Sequence, residues 1–196
     1  MSAPAPETGR APAPAAPLSP LDQLPGDLMM WVLIMSELLV FGAGLAAFLA
    51  VRISDPASFA DAQEMLHRLG AGINTVVLVS SGFLAAFAYR LRLAGSRGRA
   101  RLALLGAALL GAVFLVVKGH EFASLSGLGI TTDTHPFFMF YYLLTGFHAA
   151  HVVAGIAIIG LIAWRDSPRN IEVGISFWHM VDLVWVLLFP VVYLLR

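Results

Sequence analysis

The chain has 196 residues, 59% of them apolar and only 12% charged, with twelve basic side chains, twelve acidic ones and no cysteine. Soluble domains run at roughly 45–50% apolar and about 25% charged, so a water-soluble globule is excluded and a membrane protein is implied. Zero net charge removes the basic footprint that a nucleic-acid partner requires, and the lack of cysteine excludes disulfides, thiolate nucleophiles and Cys-ligated metal.

Residues 1–25 hold seven of the eleven prolines in an Ala-Pro run with no apolar signal region, and read as a disordered cytoplasmic tail. A helix that crosses about 30 Å of hydrocarbon needs about 20 apolar residues. Five stretches meet that length. The first, 28–51, carries Glu37; the second, 71–90, carries Asn74, Thr75, Ser80 and Ser81. The third, 102–122, reaches its length if Lys118 snorkels its stem along the apolar surface. The fourth, 137–164, contains His148 and His151, and the fifth, 175–195, contains His179, Asp182 and Pro190. No segment alternates like a strand, so the predicted class is an all-α membrane protein of five transmembrane helices. Short connections at 52–69, 90–101, 119–136 and 165–174 make neighbouring spans antiparallel and leave no soluble domain. Placing the Arg90–Arg101 turn in the cytoplasm puts eight basic residues inside and four outside. By the positive-inside rule the amino terminus is then cytoplasmic and the carboxyl terminus periplasmic in a bacterial inner membrane.

Each polar group sunk in this bilayer is costly, at about 2.5–3.5 kcal/mol for a central carboxylate on insertion scales. Counted from the span centres, Glu37 and Asp182 lie roughly 4 and 5 Å to the cytoplasmic side, and His148 and His151 flank the midplane. Three readings of this belt stand open. The i, i+3 pairs His148/His151 and His179/Asp182 have the spacing of a metal or haem site. Intramembrane acids and imidazoles also suggest a proton path, although Val186–Leu195 offers it only Tyr193. In the third reading these groups fasten helix to helix, and Gly42, Gly44, Ala107, Gly111, Ala150, Ala154 and Gly155 permit close backbone approach. Trp31, Trp164, Tyr89 and Tyr193 fall near span ends as interfacial anchors. Trp178 and Trp185, seven apart, share one face and read as core or partner contacts.

The strings SELLVFGAGLAAF (Ser36–Phe48), INTVVLVSSGFLAAFAYR (Ile73–Arg90), KGHEF (Lys118–Phe122), FFMFYYLLTGFHAAHVVAG (Phe137–Gly155) and EVGISFWHMVDLVWVLLFPVVYL (Glu172–Leu194) resemble, in order, subunit III of the haem–copper oxidases. Two elements are the most specific: TGxHxxHVxxG, met from Thr145 to Gly155, and E-x6-H-x2-D-x2-W, met by Glu172, His179, Asp182 and Trp185. The resemblance implies a subunit III-like bundle that carries no haem or copper and packs beside the catalytic subunit of a haem–copper-type reductase or oxidase. It implies structural phospholipid in a cleft between helices 1–2 and helices 3–5, and a part in sustaining proton uptake and turnover. On this footing Glu37, Asn74, Thr75, His148, His151, Glu172, His179 and Asp182 are buried polar or cleft residues, none catalytic and none a metal ligand. Glu37 faces the cleft, and His148, His151, Glu172 and His179 tie the fourth span to the fifth. The PGDLMMW entry (Pro25–Trp31), the FFMFYY stretch and the five-span length most resemble the NorE-type homologue associated with bacterial nitric oxide reductase, which implies denitrification. The alternatives are subunit III of a quinol or cytochrome c terminal oxidase and, from another class, a stand-alone membrane haem or proton-transfer protein.

Overall fold

In hydrocarbon a backbone finds partners only in itself, and the computed structural model, which describes residues 28–165 and 168–195, obeys that constraint. The described elements are helices α1 (Leu28–Ser54), α2 (Pro56–Glu64), α3 (Arg68–Leu93), α4 (Arg97–Gly127), α5 (Pro136–Arg165) and α6 (Pro168–Phe189). A π-helical turn over Pro190–Leu194 continues α6. All but α2 are long and apolar enough to cross a membrane, which gives the five spans expected. The tail expected over residues 1–25 lies outside the described residues.

The helices overrun the apolar stretches because their end groups are satisfied farther out. Gly95 and Gly129 take positive φ (80° and 77°) just past α3 and α4. In that left-handed conformation Ser96 N–H reaches Leu91 O and Ile130 N–H reaches Leu125 O, each at 3.0 Å, closing the last turn. The 52–69 connection, expected as a plain loop, contains α2. Asp55 caps it by accepting from Ser58 N–H (3.3 Å), and Pro56 stands at its first turn. Phe59 then packs on Phe48 and Phe137 (ring centroids 5.7 and 5.9 Å), and buried Gln63 donates Nε2–H to Val192 O at 2.8 Å. This segment thereby latches the π-helical end of α6.

The grouping of the spans differs from the expected division of two against three. α3 packs on α4 and α6, α5 packs on the same two helices, and α1 rests on α5, α6 and α2. The second span is therefore part of the core, and α1 alone stands at the flank. The most apolar window of α6 is 56% buried, against 11% for α1. Outward faces are apolar: Leu69, Ile73, Val76, Val79, Phe83 and Phe87 form one exposed stripe of α3 at helical spacing. In water such a stripe would drive aggregation; in acyl chains it is at rest.

Candidate functional site

The seam that holds α3 in the core is built from α6 tryptophans and α3 hydroxyls. Trp178 and Trp185 are at most 1% exposed. Trp178 donates Nε1–H to Ser81 Oγ (3.1 Å), and that hydroxyl donates to Ala107 O on α4 (2.7 Å). Trp185 donates to Thr75 Oγ1 (2.9 Å), which donates to Ala71 O (2.8 Å), while Asn74 Nδ2–H reaches Phe114 O on α4 (3.2 Å). Each bond spares a polar group from bare hydrocarbon, so three helices are fixed in register. The small residues act differently from the expected backbone approach. A Cβ on Gly111 or Gly155 would stand 2.6 or 2.5 Å from the Trp178 ring, so α4 and α5 each leave a seat for the indole. A Cβ on Gly82 would overlap the Asp182 carboxylate. Gly82→Val is expected to push α6 off α3 and to lower stability in detergent by about 1–3 kcal/mol. Gly42→Ala, with nothing within 4 Å, is expected to leave the melting midpoint unchanged. Circular-dichroism melts of both variants check this.

A second cluster escaped the sequence reading. Lys118 does not snorkel; it is 2% exposed, and Nζ donates to Glu121 Oε2 (2.8 Å), to Tyr141 OH (3.2 Å) and to Tyr193 OH. Tyr193 OH contacts both carboxylate oxygens of Glu121, at 3.0 and 3.1 Å. Four rings surround the ammonium, with centroids 4.8 Å (Tyr141), 5.0 Å (Tyr193), 5.2 Å (Trp185) and 5.5 Å (Phe122) away. Tyr193, expected as an interfacial anchor, is fully buried in this cage. The local signal was the i, i+3 lysine and glutamate of KGHEF; the phenols come from α5 and from the π-helical turn, which spacing alone did not connect.

The imidazoles go separate ways. His151 Nε2 lies 3.1 Å from Glu37 Oε2, and its Nδ1 is 2.9 Å from Phe147 O. A carbonyl only accepts, so Nδ1 carries a hydrogen, while Glu37 Oε2 stands beside Nε2 as a charged-group contact and meets no hydrogen-bond partner among the described residues. Glu37 and His151 thus bind α1 to α5, whereas His151 was expected to reach toward the fifth span. His148 does link those spans, but by ring packing: it is fully buried, with centroids 5.1 Å from Trp185 and 5.6 Å from Phe114. Among the described residues neither of its nitrogens has a hydrogen-bond partner. The Glu172 carboxylate meets none of the three histidines among the described residues; its backbone carbonyl accepts from Ser176 Oγ (2.9 Å). His179 Nδ1 is 3.9 Å from Asp182 Oδ2 on its own helix. The expected four-residue tie therefore resolves into separate contacts: His151 with Glu37 on α1, His148 with the Trp185 and Phe114 rings, and His179 beside Asp182 on its own helix. Among the described residues, no three His, Asp or Glu side chains gather as a metal-holding group.

What the five spans and this interior belong to is decided by comparison with known proteins. Residues 26–196 match the family described as cytochrome c oxidase subunit III. The chain belongs to that family. It is 31% identical to cytochrome c oxidase subunit 3 of Synechocystis sp., over 86% of this chain and 76% of the relative. It is 32% identical to the protein of the same name from Thermostichus vulcanus, over 86% of each. The heme-copper oxidase subunit I+III of Aeropyrum pernix is 30% identical over 84% of this chain and 22% of its own length. These oxidase names favour the terminal-oxidase reading of this subunit III chain, and the nitric-oxide-reductase branch draws no support from them.

Proposed function

We propose that the chain is the non-catalytic subunit III of a haem–copper terminal oxidase, seated in the membrane beside the catalytic subunit. The observation that carries this is the family match across all five spans, residues 26–196. The interior agrees with such a role: Lys118 is matched by Glu121, Glu37 by His151, and the hydroxyls and indoles by one another. A relative whose name joins subunits I and III points to subunit I as the neighbour. The haem and copper of the complex then belong to that neighbour. In this place the subunit sustains proton uptake and turnover, with the Arg90–Arg101 turn on the cytoplasmic face of a bacterial inner membrane.

The test is co-purification. Tagged chain solubilised in mild detergent is expected to bring down a haem-bearing subunit whose complex consumes oxygen, while the chain alone shows no Soret band. A stoichiometric Soret band in the isolated chain would overturn the accessory reading, and a complex that reduces nitric oxide instead of oxygen would overturn the choice of oxidase.

Structural phospholipid belongs, in this reading, at the flank where α1 stands apart and the Glu37–His151 pair reaches the surface at 19% and 15% exposure. Glu37→Gln keeps a polar group beside His151 and is expected to retain bound lipid; Glu37→Leu removes the polar contact with α5, and tightly bound phosphorus per chain is expected to fall. Equal phosphorus content in the two variants would contradict the placement.

A further inference from the structure

His179 is 45% exposed, yet it stands on α6 three residues, roughly 4.5 Å, from Asp182, the central residue of the span Asn170–Leu194. Among the described residues it is the only titratable side chain both exposed and within roughly 10 Å of its span's centre. The other mid-depth groups are covered or paired: Lys118 sits in its cage, His148 lies between two rings, and Glu37, partly exposed, faces His151. Behind His179 stand the Asp182 carboxylate and the bare backbone of Gly82, so the imidazole is propped outward at the seam between α3 and α6. Around it the surface is apolar, with Val79 and Phe83 on one side and Leu183 and Val186 on the other. The outer face of α4, with Leu102, Leu105, Leu109 and Val116, offers no such polar step.

We propose that the α3–α6 seam is the surface on which a transmembrane helix of the catalytic subunit docks, with His179 as its central hydrogen-bonding contact. The proposal rests on the accessory-subunit reading above and names its interface. Acyl chains carry no donor or acceptor, and phospholipid headgroups lie about 15 Å from the bilayer centre, so lipid leaves this imidazole unsatisfied. A protein helix can present a hydroxyl, amide or carboxyl at that depth, and Phe83 and Leu183 then flank it as apolar rim.

The experiment places a photo-crosslinking side chain singly at Phe83, Leu183 and Leu109 in the tagged full chain, co-expressed with its catalytic subunit. Adducts to the catalytic subunit are expected from Phe83 and Leu183 and not from Leu109. In the same membranes His179→Leu is expected to reduce co-purified catalytic subunit by about tenfold, with His179→Gln restoring most of it. Melting midpoints of the isolated variants, expected to match wild type, separate loss of docking from loss of folding. Adducts from Leu109 instead, or adducts only between two copies of this chain, would overturn the seam as the docking face while leaving the accessory reading intact. Full co-purification of His179→Leu would overturn the role of the imidazole. If wild-type chain brings down no catalytic subunit, the accessory reading fails, and this proposal with it.

Discussion

Replacing Lys118 by methionine is expected to lower the stability of the detergent-solubilised chain by about 3–5 kcal/mol, the usual cost of removing one partner from a buried ion pair. Methionine matches the length and apolar body of the lysine stem, so the packing loss is small. What remains is a Glu121 carboxylate only 10% exposed, whose ammonium neighbour is gone and whose remaining partner is the Tyr193 hydroxyl. Two phenols also lose their contact with the ammonium. Lys118→Met with Glu121→Gln is therefore expected to recover most of the loss, since the double variant buries no net charge and the amide still bonds Tyr193. Denaturant titrations of both variants, followed by far-ultraviolet circular dichroism, decide it. Equal destabilisation by single and double variants would mean that the rings alone hold the cage together.

Trp178→Ala is expected to cost about 3–5 kcal/mol, as large-to-small changes of a fully buried tryptophan do. The reason lies in the seats opposite. Gly111 and Gly155 have no side chains to move into the space, so the void persists between α4, α5 and α6. Ser81 loses the indole donor but keeps its bond to Ala107 O, which makes the expected loss mainly one of packing. Trp178→Phe, which refills part of the seat without the N–H, is expected to recover more than half of the difference. Thermal melts of the three proteins provide the measurement, and an alanine variant that melts with wild type would contradict the seat.

The spans were legible because hydrocarbon imposes one length and one hydrogen-bonding solution, so counting apolar residues located all five helices. The inter-helix polar groups Asn74, Thr75 and Ser81 were legible for the same reason, with no water to turn to, although Thr75 accepts across the seam where Asn74 and Ser81 donate. Partners were not. Nothing in the spacing of His148 and His151 says that one imidazole meets α1 while the other is wedged between Phe114 and Trp185. That depends on how helices distant in sequence are rotated about their axes. Lys118 was misplaced by a rule for isolated helices, in which a long cationic chain reaches water; a glutamate one turn on and two phenols from elsewhere made the interior the better solvent. The segment 52–69 hid α2 because nine residues with one buried aromatic carry little periodicity.

The flank position of α1 bears on the order of assembly. As the chain is synthesised this helix is made before α3 and α4, but both long helices it rests on, α5 and α6, follow them. The α3–α4 hairpin finds its mate at once, whereas α1 waits for contacts more than a hundred residues away in sequence, as Glu37 waits for His151. Until then its carboxylate has no imidazole beside it. Of the described spans, α1 is thus made before the others yet completes its contacts only when α5 and α6 are in place.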